Sequence, residues 1–235
     1  MTLRLAVTGT DTGVGKTLVT CALVAALRAR GLDARAMKPV ETGVAERHAG
    51  TDAELLRRAA GGVGAPEDVC PVTYAEPLAP LVAAERAGRP VDWAAVEAAR
   101  ARVERGAQAF VVEGAGGLLV PLGRDPDGAV VDLATLAGRW ALDLVVVAAD
   151  RLGVLNHTLL TVREAERRGV RVRTVVLNAV RPAPADVAEA TNLAALRGLL
   201  PGVPVVPFPF APPDRRDDPA ALAERGAALG RLLGA

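Results

Sequence analysis

Two lysines stand out in a chain that otherwise carries its positive charge on arginine. Lys16 and Lys38 are the only lysines among 28 basic residues, and the chain contains no serine. An ammonium group is a compact charge that a planar guanidinium does not replace, so a retained lysine suggests a site that needs this shape. The absence of serine excludes a serine nucleophile. The neighbours of the two lysines therefore decide which chemistry is available.

Lys16 lies in a glycine-rich segment, GTDTGVGKT at 9–17, between an apolar run and an apolar helical stretch. Such a turn surrounds an anion with backbone N–H groups and a helix N-terminus. Lys16 can then reach the β- and γ-phosphates, and the Thr17 hydroxyl can bind Mg²⁺. The usual spacing places a glycine where Thr10 stands, and Leu18 occupies the third glycine position of a dinucleotide motif. We interpret the turn as a nucleoside triphosphate site, although a glycine-rich turn without a ligand is the alternative.

Lys38 follows a second apolar run, in the segment KPVETG at 38–43. A surface lysine is the simpler interpretation, but the scarcity of lysine favours a functional one. Glu113 ends a further apolar run and leads into the turn 114–117, as a magnesium-binding acid of a triphosphate site does. Asp52 opens a predicted helix, where either an N-cap or a metal ligand fits.

Apolar runs alternate with helical patterns along the chain, which predicts an α/β fold with a doubly wound, mostly parallel sheet and helices on both faces. We predict one domain over residues 1–235. The predicted strands are 3–8, 34–37, 109–112, 144–149, 172–177 and 203–206, and the predicted helices are 17–30, 52–60, 93–105, 133–138, 155–168, 187–200 and 220–233. Ligands of such sheets bind at the carboxyl ends of the strands.

The composition excludes several classes of protein. A chain of 235 residues with 51% hydrophobic residues can bury a core, and its formal net charge of +1 gives no field that would attract nucleic acid or an anionic membrane. Two cysteines are too few for a disulfide framework. The longest uncharged stretch, 198–213, contains six prolines and is too short to span a membrane. We therefore expect a cytoplasmic protein without nucleic-acid or membrane partners.

Six segments together resemble the dethiobiotin synthetases, and they follow one another in that family's order. The segments are GTDTGVGKT at 9–17, KPVETG at 38–43, YAEPLAP at 74–80, VEGAGGLLVPL at 112–122, LGVLNHTLLT at 152–161 and VVLNAV at 175–180. The resemblance implies an ATP- and Mg²⁺-dependent cyclo-ligase of biotin synthesis, which converts 7,8-diaminononanoate and CO₂ to dethiobiotin with release of ADP and phosphate. Phosphoryl transfer needs mainly positioning and charge neutralisation, which agrees with a chain that lacks serine.

The resemblance also implies roles for individual residues. Lys38 would hold the substrate carbamate and the transferring phosphoryl group, with Lys16 and Thr12 beside the phosphates and Thr42 at the amine end of the substrate. Thr17, Asp52 and Glu113 would bind Mg²⁺. The residues implied to bind the nucleotide are Gly13, Val14, Gly15, Lys16, Thr17, Leu18, Asp52, Glu113, Gly114, Ala115, Gly116, Asn178, Pro207, Phe208 and Pro209. Asn178 would recognise adenine, while a turn residue after a strand is the simpler alternative.

A helix start at Gly153, Val154, Leu155 and Asn156 would bind the tail carboxylate of the substrate from the partner subunit, so the resemblance implies a homodimer. Some relatives carry a tyrosine on the helix that follows Asn178; the region 188–192 has none, and Asn192 is the candidate replacement. We expect His157 to be packed in its helix without acting as a general base.

Two other functions remain as alternatives. An ATP-driven partitioning switch of the same P-loop branch would carry an additional lysine at the start of the loop, where this chain has none. The synthetase domain of a cobyrinate-type amidotransferase would need a C-terminal glutaminase domain, for which no length remains.

Overall fold

Six parallel strands form the central sheet of the computed structural model, which describes residues 2–45, 50–183, 187–212, 216 and 218–234. The strands stand in the order β10-β9-β8-β1-β5-β2, so β1 and its glycine-rich extension lie at the centre. Their bounds are β1 Leu3–Gly9, β2 Ala34–Met37, β5 Ala109–Gly117, β8 Asp143–Ala149, β9 Val172–Asn178 and β10 Val205–Phe208. All the pairings within this sheet are parallel, as the continuous apolar runs predict.

Alternation along each strand divides the interior into two cores. Leu5 and Val7 of β1 belong to one core and Ala6 to the other, because successive side chains of a strand point to opposite faces of the sheet. One core packs against α1, α2, α3 and α9, and the other against α5, α6, α7 and α8. The bounds of these helices are α1 Lys16–Ala29, α2 Asp52–Ala59, α3 Pro66–Val69, α5 Trp93–Glu104, α6 Leu133–Arg139, α7 Val154–Arg167, α8 Val187–Leu199 and α9 Pro219–Leu233.

The doubly wound α/β architecture is therefore confirmed, and the predicted helices and the main strands are all present. The predicted strand 203–206 is misplaced by two residues, since Val203 donates its N–H to Leu200 in the turn that ends α8. Sequence reasoning missed α3, the helix α4 (Pro80–Arg86) and four short strands. These strands form two small sheets outside the central one: β3 (Val40–Thr42) with β4 (Val72–Tyr74), and β6 (Gly123–Arg124) with β7 (Val130–Val131).

The strand β5 extends five residues beyond its predicted end. The prediction stopped at Val112, whereas the strand runs to Gly117, with Val7 of β1 opposite Glu113. The sheet therefore carries Glu113 and the glycine turn on its central part. Among the described residues, every helix is too short or too polar to cross a bilayer.

Helices α1 and α9 pack at unusually close range. A Cβ atom added at Gly226 of α9 would lie 2.1 Å from the carbonyl oxygen of Ala22 in α1, and one at Gly230 would lie 3.1 Å from the Cβ of Ala26. Glycine at position 226 thus permits the two backbones to approach. Because α1 starts at the glycine-rich turn, this contact also fixes the helix whose N-terminus faces the site.

Substitution of Gly226 by alanine is expected to destabilise the protein. The added methyl group meets backbone atoms that cannot rotate away, so we expect the free energy of unfolding to fall by about 2–3 kcal/mol. Urea denaturation measures this change. Gly198→Ala in α8 is the matched control, because a Cβ there meets no atom within 4 Å, and we expect it to be neutral or to stabilise by about 0.5–1 kcal/mol. Equal effects of the two substitutions would contradict the close-packing interpretation.

Candidate active site

The glycine-rich turn leads from β1 directly into α1. Gly13 and Gly15 both have positive φ angles, 72° and 92°, and Gly15 is the N-cap of α1. No side chain caps this helix among the described residues. Its first N–H groups and its partial positive charge therefore face the opening, where an anion can satisfy them.

A second glycine turn approaches the first. In Gly116, which has a φ of 62°, an added Cβ would lie 3.5 Å from the Thr12 Oγ1 atom and 2.8 Å from a methyl group of Val120. A Cβ added at Gly114 would lie 2.5 Å from Leu133. The end of β5 is therefore in van der Waals reach of the phosphate turn, and its glycines leave room for Val120 and Leu133.

Lys38 lies between two carboxylates. Its Nζ atom is 2.6 Å from Oε1 of Glu113 and 2.8 Å from Oδ2 of Asp52. The Glu113 side chain is completely buried and that of Lys38 is 5% exposed. The hydroxyl of Thr17 donates to Oε1 of Glu113 at 3.0 Å. Removing the lysine would leave a buried carboxylate without a counter-charge, which costs about 3–5 kcal/mol.

The two lysines are shifted in opposite directions. Burial by itself lowers the pKa of Lys38, but attraction to Glu113 and Asp52 outweighs it, so this pKa lies well above the ordinary value. Burial lowers the pKa of Lys16, Glu113 offsets part of that effect, and the charge of Lys38 adds to it. The Nζ atom of Lys16 makes one weak hydrogen bond, to the Asp11 carbonyl oxygen at 3.5 Å. Lys16 is thus the less strongly paired cation.

Asp52 and Glu41 complete the charged cluster. Burial tends to raise the pKa of Asp52, but the attraction and hydrogen bond of Lys38 lower it by more, so the net shift of this pKa is downward. Glu41 is buried, and desolvation raises its pKa while Lys38 opposes the shift. The sequence analysis gave Asp52 a role in the site, whereas Glu41 appeared there only as a member of the segment KPVETG.

The oxygen atoms in this cluster fit a magnesium ion. Oε2 of Glu113 is buried and has no hydrogen-bond partner among the residues that the structure describes, so it can bind a cation. The Thr17 hydroxyl is 3.0 Å from the other oxygen of the same carboxylate. Magnesium uses few protein carboxylates and keeps water and phosphate ligands. In agreement, no cluster of three or more metal-ligating His, Cys, Asp or Glu side chains occurs in the described part of the chain.

Lys16, Lys38 and Asp52 line one cavity of about 750 Å³, whereas the completely buried Glu113 is not among the residues of its wall. The wall contains the following expected site residues: Thr12, Gly13, Gly15, Lys16, Thr17, Leu18, Lys38, Thr42, Asp52, Ala115 and Gly116. Sequence reasoning missed Glu41, the loop Pro77–Pro80 and Val120, which also line it. The two prolines of YAEPLAP were the available signal for the loop, since they stiffen a short connection.

The proposed adenine residues lie on the other side of the phosphate turn. Asn178, at the end of β9, is 5% exposed, and its Nδ2 donates to the Val14 carbonyl oxygen at 2.9 Å. Its Oδ1 atom is buried without a partner. Phe208 is 1% exposed and packs in a core, so its ring is not available to a base, whereas Pro207 and Pro209 are exposed.

The helix start at 153–156 lies outside the cavity wall. Gly153 is the N-cap of α7 with a φ of 93°, and no side chain within the described ranges caps the helix. Val154 is buried and Asn156 is exposed. The expectation that His157 is packed is wrong, because His157 is itself exposed. Asn192 is buried and donates to Asp150 Oδ1 at 2.8 Å, so it supports the end of β8.

The fold and the phosphate turn define a class of protein. A family model described as an AAA domain matches residues 4–208, which include the central sheet and both glycine turns. This is the P-loop class of nucleotide-binding α/β proteins.

Individual relatives are more specific. The ATP-dependent dethiobiotin synthetase BioD of Anaeromyxobacter dehalogenans (strain 2CP-C) is 48% identical over 98% of this chain and 97% of its own length. The enzymes of the same name from Bacillus velezensis and Bacillus subtilis (strain 168) are 39% and 36% identical over 79% and 85% of this chain, and 77% and 84% of their own lengths. The chain belongs to the family of ATP-dependent dethiobiotin synthetases.

The presence of only two lysines makes their opposite pKa shifts directly measurable. In protein labelled with ¹³C-lysine, NMR should show one side-chain signal that titrates below 10.5, from Lys16, and one that stays protonated at higher pH, from Lys38. The raised pKa of Lys38 stabilises the fold below its unfolded value of about 10.4, and this contribution is lost only as pH rises through the folded value.

The Lys16→Arg variant assigns the two NMR signals, because only the Lys38 signal remains in it. In the urea-unfolded wild-type protein, both lysines should titrate at about 10.4. Deprotonation of Lys38 before Lys16 in the folded protein would contradict the ion-pair geometry.

Proposed function

We infer that this chain catalyses the ATP-dependent dethiobiotin synthetase reaction, in which 7,8-diaminononanoate, CO₂ and ATP give dethiobiotin, ADP and phosphate. One observation carries the assignment of the reaction to this cavity. Two lysines and an uncapped helix N-terminus line the same 750 Å³ space as Thr42, so anionic phosphates and a polar substrate can meet there. Family membership supplies the particular reaction.

In the proposed mechanism, the helix N-terminus of α1 and Lys16 bind the phosphates, with Thr12 beside them. Lys38 holds the carbamate that forms from CO₂ and one substrate amine, and it stabilises negative charge as the carbamate oxygen attacks the γ-phosphate. ADP leaves as the carbamate oxygen becomes phosphorylated. The nitrogen of the second amine then attacks the carbamate carbon, which closes the cyclic urea and expels phosphate, and the proton of that amine leaves with the phosphate. Thr42, on the wall of the same cavity, contacts the amine end of the substrate.

Thr17, Asp52 and Glu113 would hold Mg²⁺, which supplies charge neutralisation at the phosphates when it is bound. The unpartnered Oε2 atom of Glu113 supports this role. Gly13 to Leu18 and Gly114 to Gly116 form the two turns that face the nucleotide. A Cβ atom at Gly116 would lie 3.5 Å from Thr12 Oγ1, so the two turns are in contact.

We propose that Asn178 recognises adenine through its Oδ1 atom. The amide nitrogen of Asn178 is already bound to Val14, and this contact leaves the buried carbonyl oxygen as an acceptor for the amino group of a base. The exposed Pro207 and Pro209 would border the base, and Phe208, which is buried between them, would hold this segment on the sheet beside Asn178.

We propose a homodimer in which α7 of one subunit completes the site of the other. The uncapped N-terminus of α7 suits a carboxylate, in contrast to α5 and α9, which are capped by Asp92 and Asp218. Leu152 and Leu160 beside it are 81% and 60% exposed, which fits a surface that a second copy covers.

A cytoplasmic location agrees with the free thiols of both cysteines.

The first test is turnover. ADP release should require both 7,8-diaminononanoate and bicarbonate, and Lys38→Arg should bind nucleotide but lose at least about 100-fold in kcat, because a guanidinium cannot take the place of a compact ammonium. The control is Arg139→Lys, a surface residue paired with Asp125. Diamine-independent ATP hydrolysis, or full activity of Lys38→Arg, would refute the proposal.

The second test is complementation between subunits. Lys38→Arg and Asn156→Asp should each be inactive alone, while co-expression should restore about a quarter of wild-type activity, because half of the dimers are hybrids with one intact site. Lys38→Arg with Asp52→Asn is the control, since both changes affect the same subunit's contribution and no intact site forms. A monomer in analytical ultracentrifugation, or no recovery in the first pair, would contradict the shared site.

A further inference from the structure

Glu41 makes an unusual contact for an acid that lines a substrate cavity. Its Oε1 atom accepts a hydrogen bond from the backbone N–H of Asp52 at 2.7 Å, and its Oε2 atom accepts one from the N–H of Ala53 at 3.2 Å. The residue is 5% exposed. Both oxygens of this buried carboxylate thus accept hydrogen bonds from backbone amides at the start of the helix α2.

These amides need an outside partner. The first N–H groups of a helix have no acceptor within the helix. The side chain of Thr51, the N-cap of α2, accepts a hydrogen bond from the N–H of Glu54, at 3.4 Å. Glu54 itself forms an ion pair with Arg57 at 2.7 Å, so it does not turn back to the cap. Glu41 therefore satisfies the two amides that the local cap leaves unpaired.

Both ends of Asp52 are consequently held by one short segment of chain. Its backbone N–H is bound by Glu41 on β3, and its carboxylate is bound by Lys38, which precedes Glu41 by three residues. The intervening Pro39 stiffens this segment, and Lys38 is anchored by its own N–H to the Val69 carbonyl oxygen at 2.7 Å. Residues 38–41 therefore hold both the backbone and the carboxylate of Asp52, and Thr17 adds a hydrogen bond to that carboxylate.

We propose that Glu41 is a positioning residue that fixes Asp52 in the orientation required for binding the divalent cation. This inference rests on the proposed role of Asp52 as a metal ligand. Groups that orient a metal ligand commonly change metal affinity by about 10–100-fold when they are removed. The negative charge of Glu41 also lies at the favourable end of the α2 dipole.

The test measures metal binding directly, with Mn²⁺ followed by electron paramagnetic resonance in the presence of ADP. Glu41→Ala should raise the Mn²⁺ dissociation constant about 10-fold. Glu41→Gln, which keeps one acceptor oxygen for the Asp52 amide, should recover part of that loss. In turnover assays, the Mg²⁺ concentration for half-maximal rate should rise more than kcat falls.

Thr51→Ala is the matched control, because it removes a cap of the same helix without touching the Asp52 amide. It should lower the melting temperature while leaving the Mn²⁺ dissociation constant within about twofold, and equal losses in Thr51→Ala and Glu41→Ala would overturn the inference. Asp52→Asn separates the two proposals. If it leaves Mn²⁺ binding intact, the metal role of Asp52 fails; if it weakens binding and Glu41→Ala does not, the role of Glu41 fails.

Discussion

The ion pair between Lys38 and Glu113 constrains the whole site. Glu113 lies on β5, between β1 and β2, and a fully buried carboxylate at that place is tolerated only with a counter-charge and hydrogen bonds. Lys38 can supply the charge because β2 pairs with β5, which brings the end of one strand beside the other. The order of the strands thus determines which residue meets Glu113, and Thr17 joins them because α1 follows β1.

Glycine residues shape the phosphate turn that lies beside this ion pair. The positive φ angles of Gly13 and Gly15 turn the chain so that α1 starts at the site without a side-chain cap. A Cβ at Gly15 would lie 2.3 Å from Nδ2 of Asn178, so the turn also packs on the end of β9. The site is therefore assembled from the ends of several parallel strands, and each contributes few residues.

Much of the fold and part of the site were predictable from the sequence. The central strands and long helices have apolar patterns of sufficient length. Lys16 and Lys38 follow strands, and Glu113 comes directly after the apolar part of β5. The short strands β3 and β4 carry too few residues for a periodic pattern, and they are held by pairing with each other. Glu41 was missed for a related reason, since its partners are backbone amides 11 and 12 residues away. His157 was misjudged because an apolar helix pattern does not show which side is exposed.

Charge balance explains why this site suits a divalent cation as well as phosphates. Lys38 faces two carboxylates, so its single positive charge leaves an excess of negative charge around it, and Oε2 of Glu113 remains without a partner. A hard cation satisfies such oxygens better than another ammonium group can, because it binds several of them at once. Lys16, whose pKa is lowered by burial, has only the weak contact to Asp11. Phosphate oxygens supply the negative charge that this second lysine lacks.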